Sequence, residues 1–173
     1  MEDVKFPDAT HRVVQQIIGR YPEGRQKSAL LPVLHLAQAE WGWLSPAVMD
    51  HVAGLLGIQP IEVYEVATFY TMFHLQPTGK YVLEVCRTGP CCLLGAEDLI
   101  EHLENKLNIR VGETSADGLF TLKTVECLAA CGYAPVLQVQ LPEPGASSNS
   151  TYRYFENLTE EKVDEMMETL ARR

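Results

Sequence analysis

Hydrophobic residues in the first half of the chain recur at helical spacing in four segments. Within each segment they follow the i, i+3, i+4, i+7 rule that places apolar side chains on one face of an α-helix. The first helix is expected to be capped by Asp8 and to end near Tyr21. The second is expected from about Gln26 to Trp41, since Pro32 then lies close to its first turn, where a proline is tolerated.

Start signals precede the third and fourth helical segments. Ser45 is a capping residue, Pro46 follows it at the first helical position, and Gly57 is placed to stop that helix. Pro60 repeats the start signal for a fourth helix, whose apolar side chains are expected to continue to Phe73. Four short helices with brief connections predict a compact helical bundle.

The hydrophobic pattern changes at residues 76–79, where Pro and Gly form a turn signal. Beyond it, runs rich in β-branched and aromatic residues predict strands, and one-sided apolar spacing predicts helices. The predicted strands cover residues 80–86, 119–125, 135–140 and 151–155, and the predicted helices cover 96–107 and the segment after a Thr159 cap. A polar loop is predicted at 142–150. The order is therefore strand, helix, strand, strand, strand, helix.

Together these elements predict an α+β protein with two domains. Residues 1–76 are expected to form the helical bundle, and residues 77–173 an α/β domain. A chain of 173 residues has room for one ordinary domain or two small ones. At this length roughly two-thirds of the unfolded surface should be buried on folding, so disulfides are not needed for stability.

Composition narrows the classes of partner. The formal net charge is −9, the isoelectric point is about 5.0, and Lys and Arg form no cluster, which argues against binding to nucleic acid or anionic lipid. The chain has no apolar run of about eighteen residues, so we expect no direct membrane insertion. Its acidic first residues lack the pattern of an export signal, and we expect a cytoplasmic protein whose membrane role, if any, comes through a partner.

Four of the five cysteines form two local pairs. In a reducing compartment, cysteines favour metal ligation or catalysis over disulfides. Cys86 pairs with Cys91 and Cys127 with Cys131, and each pair begins where a predicted strand ends. If those strands are neighbours in one sheet, both pairs project from the same edge and four thiolates can meet. A 2Fe-2S cluster fits this arrangement, with each pair holding one iron.

Zinc is an open alternative, because it also takes four thiolates at local spacings that overlap these. Other classes fit less well. The spacing differs from the plant-type and bacterial ferredoxin patterns. The chain has no Cys-x2-Cys, the motif of thioredoxin-like dithiol catalysts, and no histidine lies in a cysteine loop, as a Rieske centre requires. No glycine-rich nucleotide motif follows a predicted strand, so we expect no flavin or NADH site on this chain.

Both cysteine loops are set in longer stretches of recognisable sequence. These stretches are VCRTGPCCLLGA at 85–96 and VECLAAC at 125–131. Accompanying segments are VATFY at 66–70, PTGKY at 77–81, DGLF at 117–120 and APV at 134–136. They resemble the small two-iron subunit of the NADH-oxidising module of respiratory complex I. The likeness extends from about Tyr21 to the final helix, and the cysteine loops are its most specific part.

The resemblance implies a thioredoxin-like second domain with a four-stranded mixed sheet. It implies one 2Fe-2S cluster, whose ligands would be Cys86, Cys91, Cys127 and Cys131. It further implies a non-catalytic electron-transfer subunit of NADH:quinone oxidoreductase that exchanges single electrons with the flavin of a partner. That partner is expected to be a larger subunit that binds FMN and NADH and keeps the chain at the membrane periphery.

Two alternatives to this function stay open. The equivalent subunit of a soluble NAD-linked formate dehydrogenase or hydrogenase resembles the same family and shares the cysteine loops. A zinc-stabilised interaction module without redox activity belongs to a different class.

Three positions depart from the family pattern or stay undecided. Members often have Gly where this chain has Ala129, which would change the hydrogen bonds of the second loop. Cys92 is an extra thiol beside Cys91, and we interpret it as a small apolar residue rather than a ligand. Pro135 is similar to the proline beside the active site of thioredoxin-like folds, and the isomer of its peptide bond is open.

Overall fold

The computed structural model describes residues 4–141 and 151–172. These residues divide into two compact units, 4–77 and 78–141 with 151–172, each with its own hydrophobic core. A helical region followed by a four-stranded mixed sheet confirms the predicted α+β class. The loop predicted at 142–150 lies outside the described residues. Within the described ranges, every helix is too short or too polar to cross a membrane.

In residues 4–77, the first unit contains four α-helices and one 3-10 turn. They are α1 (Asp8–Ile18), the 3-10 turn (Gln26–Ala29), α2 (Leu30–Trp41), α3 (Pro46–Leu56) and α4 (Pro60–Phe69). The predicted second helix is thus split, and its α-helical part begins at Leu30. Pro32 falls in the first turn of α2, where its missing N–H removes no bond because the first N–H groups of a helix have no intrahelical partner.

The predicted cap and end of α1 are wrong. Pro7 occupies the cap position, no side chain caps the helix, and Asp8 is its first residue. The helix ends at Ile18 rather than near Tyr21. An acidic residue in the first turn is still favourable, because the N-terminal end of a helix carries partial positive charge.

The start and stop signals of α3 and α4 are confirmed. Ser45 Oγ accepts a hydrogen bond from the Val48 N–H at 3.3 Å. Gly57 ends α3 with φ of 62°, a left-handed conformation that glycine adopts without strain. Glu62 closes the start of α4, because its carboxylate accepts the Gln59 N–H at 2.9 Å.

Apolar residues from all four helices form the core of the first unit. The residues with no exposed surface include Val14, Val33, Leu34, Ala37, Val52 and Val63. The predicted length of the fourth helix is wrong, since α4 ends at Phe69. Tyr70 therefore lies beyond the helix and is 38% exposed, whereas Phe73 is buried from a segment that is not helical.

The second unit consists of a sheet with helices between and after its strands. Its elements are β1 (Tyr81–Cys86), α5 (Gly89–Leu93), α6 (Ala96–Leu107), β2 (Phe120–Val125), a 3-10 turn (Cys131–Tyr133), β3 (Leu137–Leu141), β4 (Thr151–Phe155) and α7 (Glu160–Ala171). The strand order is β2-β1-β3-β4. β1 runs parallel to β2 and antiparallel to β3, which pairs antiparallel with β4. The predicted strands are confirmed to within two residues at either end.

One side of the sheet packs against α6 and α7. Leu83 of β1 and Leu122 of β2 are opposite each other in the sheet and fully buried. They share a core with apolar residues of both helices, among them Leu99, Leu103, Val163, Met167 and Leu170. The predicted cap of α7 is confirmed, since Thr159 Oγ1 accepts the Lys162 N–H at 3.4 Å.

Candidate metal centre

The four paired cysteines lie at one edge of the sheet. Cys86 is the last residue of β1, and Cys91 follows it in α5. Cys127 comes two residues after the end of β2, and Cys131 begins the next 3-10 turn. Because β1 and β2 are parallel neighbours with Cys86 opposite Val125, their carboxyl ends meet at the same edge. The expected convergence of the two loops is thus present.

The thiols associate as two pairs. Cys86 forms a hydrogen bond with Cys91, and Cys127 forms one with Cys131. Electrostatic interaction joins the pairs, since Cys131 interacts with both Cys86 and Cys91. The pairs differ in burial. Cys86 and Cys91 are each 2% exposed, whereas Cys127 and Cys131 are exposed.

Backbone N–H groups point at the sulfurs. The N–H groups of Thr88 and Leu128 donate to Cys86, and that of Val136 donates to Cys91. In the second loop, the Ala129 N–H donates to Cys127 Sγ at 3.3 Å. Such donors stabilise negative charge on sulfur, which suits thiolates that hold a metal or an iron-sulfur cluster.

The protonation of the thiols follows from this environment. Burial, followed by the hydrogen bond with Cys86, raises the pKa of Cys91 to about 11. Burial also acts to raise the pKa of Cys86, but hydrogen bonds from Thr88, Cys91 and Leu128 outweigh it, so that this pKa lies below its ordinary value. The hydrogen bond with Cys127 is the main cause that raises the pKa of Cys131. Metal binding must therefore displace protons from Cys91 and Cys131.

The fifth cysteine lies apart from the four. Cys92 is in α5, is exposed, and directs its sulfur toward the Glu97 carboxylate at 3.9 Å. Glu97 is also the partner of Arg87, with 3.2 Å between the charged groups. Across residues 4–141 and 151–172, no cluster of three or more His, Cys, Asp or Glu side chains is arranged around a single metal-ion position.

Two features of the site were not predicted. The first loop is not irregular, because Gly89–Leu93 forms the short helix α5. A side-chain contact also joins the two loops: Thr88 Oγ1 donates to the Glu126 carbonyl at 3.1 Å and lies 3.4 Å from Cys86 Sγ. A hydroxyl residue two positions after a candidate ligand was the available signal for this contact. The Ala134–Pro135 peptide bond is cis.

A mixed sheet with two pairs of thiols at one edge is the architecture of a thiol-ligated metal protein. Residues 14–171 match the family described as thioredoxin-like [2Fe-2S] ferredoxin. The chain belongs to this family, as its sequence indicated.

Named relatives are similar over most of the chain. A subunit of NADH-quinone oxidoreductase from Rickettsia conorii is 41% identical over 166 residues, which cover 95% of this chain and 93% of the relative. A subunit of the same name from Rhizobium meliloti is 50% identical over 126 residues, 73% of this chain and 74% of the relative.

A solved structure shows the same fold. The air-oxidised NAD+-reducing [NiFe]-hydrogenase contains a chain that superposes with a TM-score of 0.66 at 21% identity. The superposition covers 82% of the present chain and only 22% of the hydrogenase chain. At this identity the likeness concerns the fold alone.

Proposed function

We propose that Cys86, Cys91, Cys127 and Cys131 hold one 2Fe-2S cluster. The observation that carries the proposal is the meeting of two hydrogen-bonded thiol pairs at the ends of neighbouring parallel strands. Membership of a two-iron ferredoxin family supports it. Residues 1–76 and 77–173 would act as the helical and the cluster-binding domain.

The chain would serve as an electron-transfer subunit of NADH:quinone oxidoreductase. A relative that matches nearly its whole length is named as a subunit of that complex. Hydride chemistry belongs to nicotinamide and flavin cofactors, so we place FMN and NADH on a larger partner subunit and give this chain no substrate site of its own. Through that partner, the chain would lie in the cytoplasm at the membrane periphery.

The chain's own residues would divide the work of holding the cluster. Cys86 and Cys91 would bind one iron from a buried position, and Cys127 and Cys131 the other from an exposed one. A bound cluster supplies reversible transfer of one electron. The N–H groups of Leu128, Val136 and Ala129 would stabilise the negative charge of the thiolates.

Anaerobic purification, absorption spectroscopy, electron paramagnetic resonance and metal analysis test the proposal. We expect a coloured protein with two irons per chain and a resonance signal after reduction. Replacing Cys127 with Ser should abolish or weaken cluster assembly. The matched variant Cys92→Ala should leave the spectrum unchanged, because this thiol is exposed and lies apart from the other four.

Two results would contradict the assignment. A colourless protein with stoichiometric zinc would indicate the interaction module instead. A cluster lost in Cys92→Ala and kept in Cys127→Ser would reassign the ligands. The partner is tested separately by purifying the tagged chain from its native cells: a co-purifying flavoprotein with NADH-oxidising activity supports the quinone oxidoreductase, and a co-purifying hydrogenase or formate dehydrogenase opposes it.

A further inference from the structure

A triangle of polar atoms joins the two cysteine loops beside Cys86. Its corners are Cys86 Sγ, Thr88 Oγ1 and the carbonyl oxygen of Glu126. The sulfur lies 3.0 Å from the carbonyl oxygen and 3.4 Å from the hydroxyl, and the hydroxyl lies 3.1 Å from the carbonyl oxygen. Each corner is therefore within hydrogen-bond reach of the other two.

Ligation changes the number of hydrogens in this triangle. In the free chain the Cys86 thiol carries a proton and donates it to the Glu126 carbonyl, and Thr88 donates to the same carbonyl. A metal-bound thiolate has no proton to donate. The Thr88 hydroxyl then holds the one hydrogen shared by the three atoms, between a charged sulfur and a neutral carbonyl. Hydrogen bonds to charged acceptors are roughly twice as strong as neutral ones, which favours the sulfur.

We propose that the Thr88 hydroxyl raises the reduction potential of the cluster by donating a hydrogen bond to the Cys86 sulfur. The inference rests on the proposed function, because it requires Cys86 to be a ligand. Thr88 is a positioning residue in this role, since it acts on the metal through a ligand atom. Hydrogen bonds to ligand sulfurs are among the features that set the potentials of iron-sulfur clusters.

The effect follows from the charge added by reduction. One electron, supplied by a flavin in the assembly or by dithionite in a titration, adds one negative charge to the cluster and its sulfurs. No covalent bond forms or breaks, and the proton stays on Thr88 Oγ1. Because the hydroxyl bond to sulfur strengthens as the sulfur becomes more negative, it stabilises the reduced state more than the oxidised state.

The side chain of Thr88 can be changed without removing other support from the site. It precedes α5 at the cap position but makes no capping hydrogen bond. Its backbone, with φ of −113° and ψ of 161°, is extended and suits a β-branched residue. The Thr88 N–H bond to Cys86 belongs to the backbone and persists in any variant other than proline.

The test is a redox titration of the full chain, prepared anaerobically and monitored by electron paramagnetic resonance. Thr88→Val keeps the shape and removes the hydroxyl. We expect reduction to become about tenfold less favourable, which is a midpoint lower by about 59 mV for a one-electron couple. Thr88→Ser keeps the hydroxyl and should titrate as the unchanged protein does. Thr169→Val removes a hydroxyl that donates to the Glu165 carbonyl within α7, and should leave the midpoint unchanged.

Each failure has its own signature. An unchanged midpoint in Thr88→Val, or an equal fall in Thr88→Ser, would overturn the inference while Cys86→Ala still loses the cluster. A Cys86→Ala chain that keeps an unaltered cluster would overturn the proposed ligand set instead. If Thr88→Val does not assemble a cluster, Thr88→Ala removes the same hydroxyl with less bulk and has the same expected midpoint.

Discussion

Ala129 holds a strained backbone conformation in the second cysteine loop. Its φ of 58° lies in the left-handed region. For an L-residue this region costs about 1–2 kcal/mol, and glycine avoids that cost. Glycine also brings more freedom to the unfolded chain, which offsets about 0.4–1 kcal/mol of the gain. The Ala129 side chain is exposed, so little burial is lost. Ala129→Gly should therefore stabilise the folded chain by about 0.5–1 kcal/mol.

Thermal unfolding of the cluster-loaded chain measures this effect. For a protein of this size, 1 kcal/mol corresponds to about 2–4 °C in Tm, so we expect a rise of about 1–4 °C. The neighbouring Ala130→Gly is the matched control. Ala130 has φ of −116°, outside the left-handed region, and it packs against the buried first cysteine pair. The same change there should lower Tm, because glycine adds unfolded-state freedom and removes a packed methyl group.

The two variants give opposite signs only if backbone strain is the cause. A fall in Tm for Ala129→Gly, of the size seen for Ala130→Gly, would refute the argument from strain. The spectrum of the cluster should be recorded for both variants, because the Ala129 N–H donates to Cys127 Sγ and must keep doing so in the glycine chain.

Two further changes probe the fold around the site. A Cβ on Gly79 would meet backbone atoms just before and at the start of β2 at 2.9 Å, so Gly79→Ala should destabilise the chain by about 1–3 kcal/mol in urea unfolding. Gly54→Ala, in open space within α3, should instead stabilise it by about 0.5–1 kcal/mol. Hydrogen bonds from Lys106 and then His102 hold the pKa of Asp164 below its ordinary 3.8, so this contribution is present above that pH and is lost as the pH falls through the folded-state pKa. Asp164→Asn should cost up to about 1 kcal/mol near neutral pH in the cluster-free chain, and an undiminished difference in acid would contradict the linkage.

Much of the second unit follows from local sequence patterns. β1 and β2 are runs of β-branched, aromatic and leucine residues, and the cysteines come at or just after their ends, so the meeting of the two loops required only that the strands be neighbours. The helix α5 gave no such signal. It has five residues, Gly89–Leu93, which is too short for a helical period to show.

Other features depend on tertiary contacts that a local pattern does not contain. The apolar spacing of α4 continues to Phe73, yet that side chain is buried from a non-helical segment, so periodicity alone overestimated the helix. The contact of Thr88 with the Glu126 carbonyl requires the exact register of two strands that are far apart in the chain. An alanine at position 129 likewise carries no signal for a left-handed conformation, because alanine rarely adopts one.

The register of β1 against β2 ties the thiol positions to the hydrophobic core. Leu83 lies opposite Leu122, and both are fully buried beneath the helices. A slip of one residue would turn every side chain of a strand to the other face, so this core specifies one register strongly. The same register sets Cys86 opposite Val125 and brings Glu126 and the loop after it alongside the first cysteine pair. Packing remote from the sulfurs thus sets where they meet, which explains how the free chain can present two thiol pairs already close together.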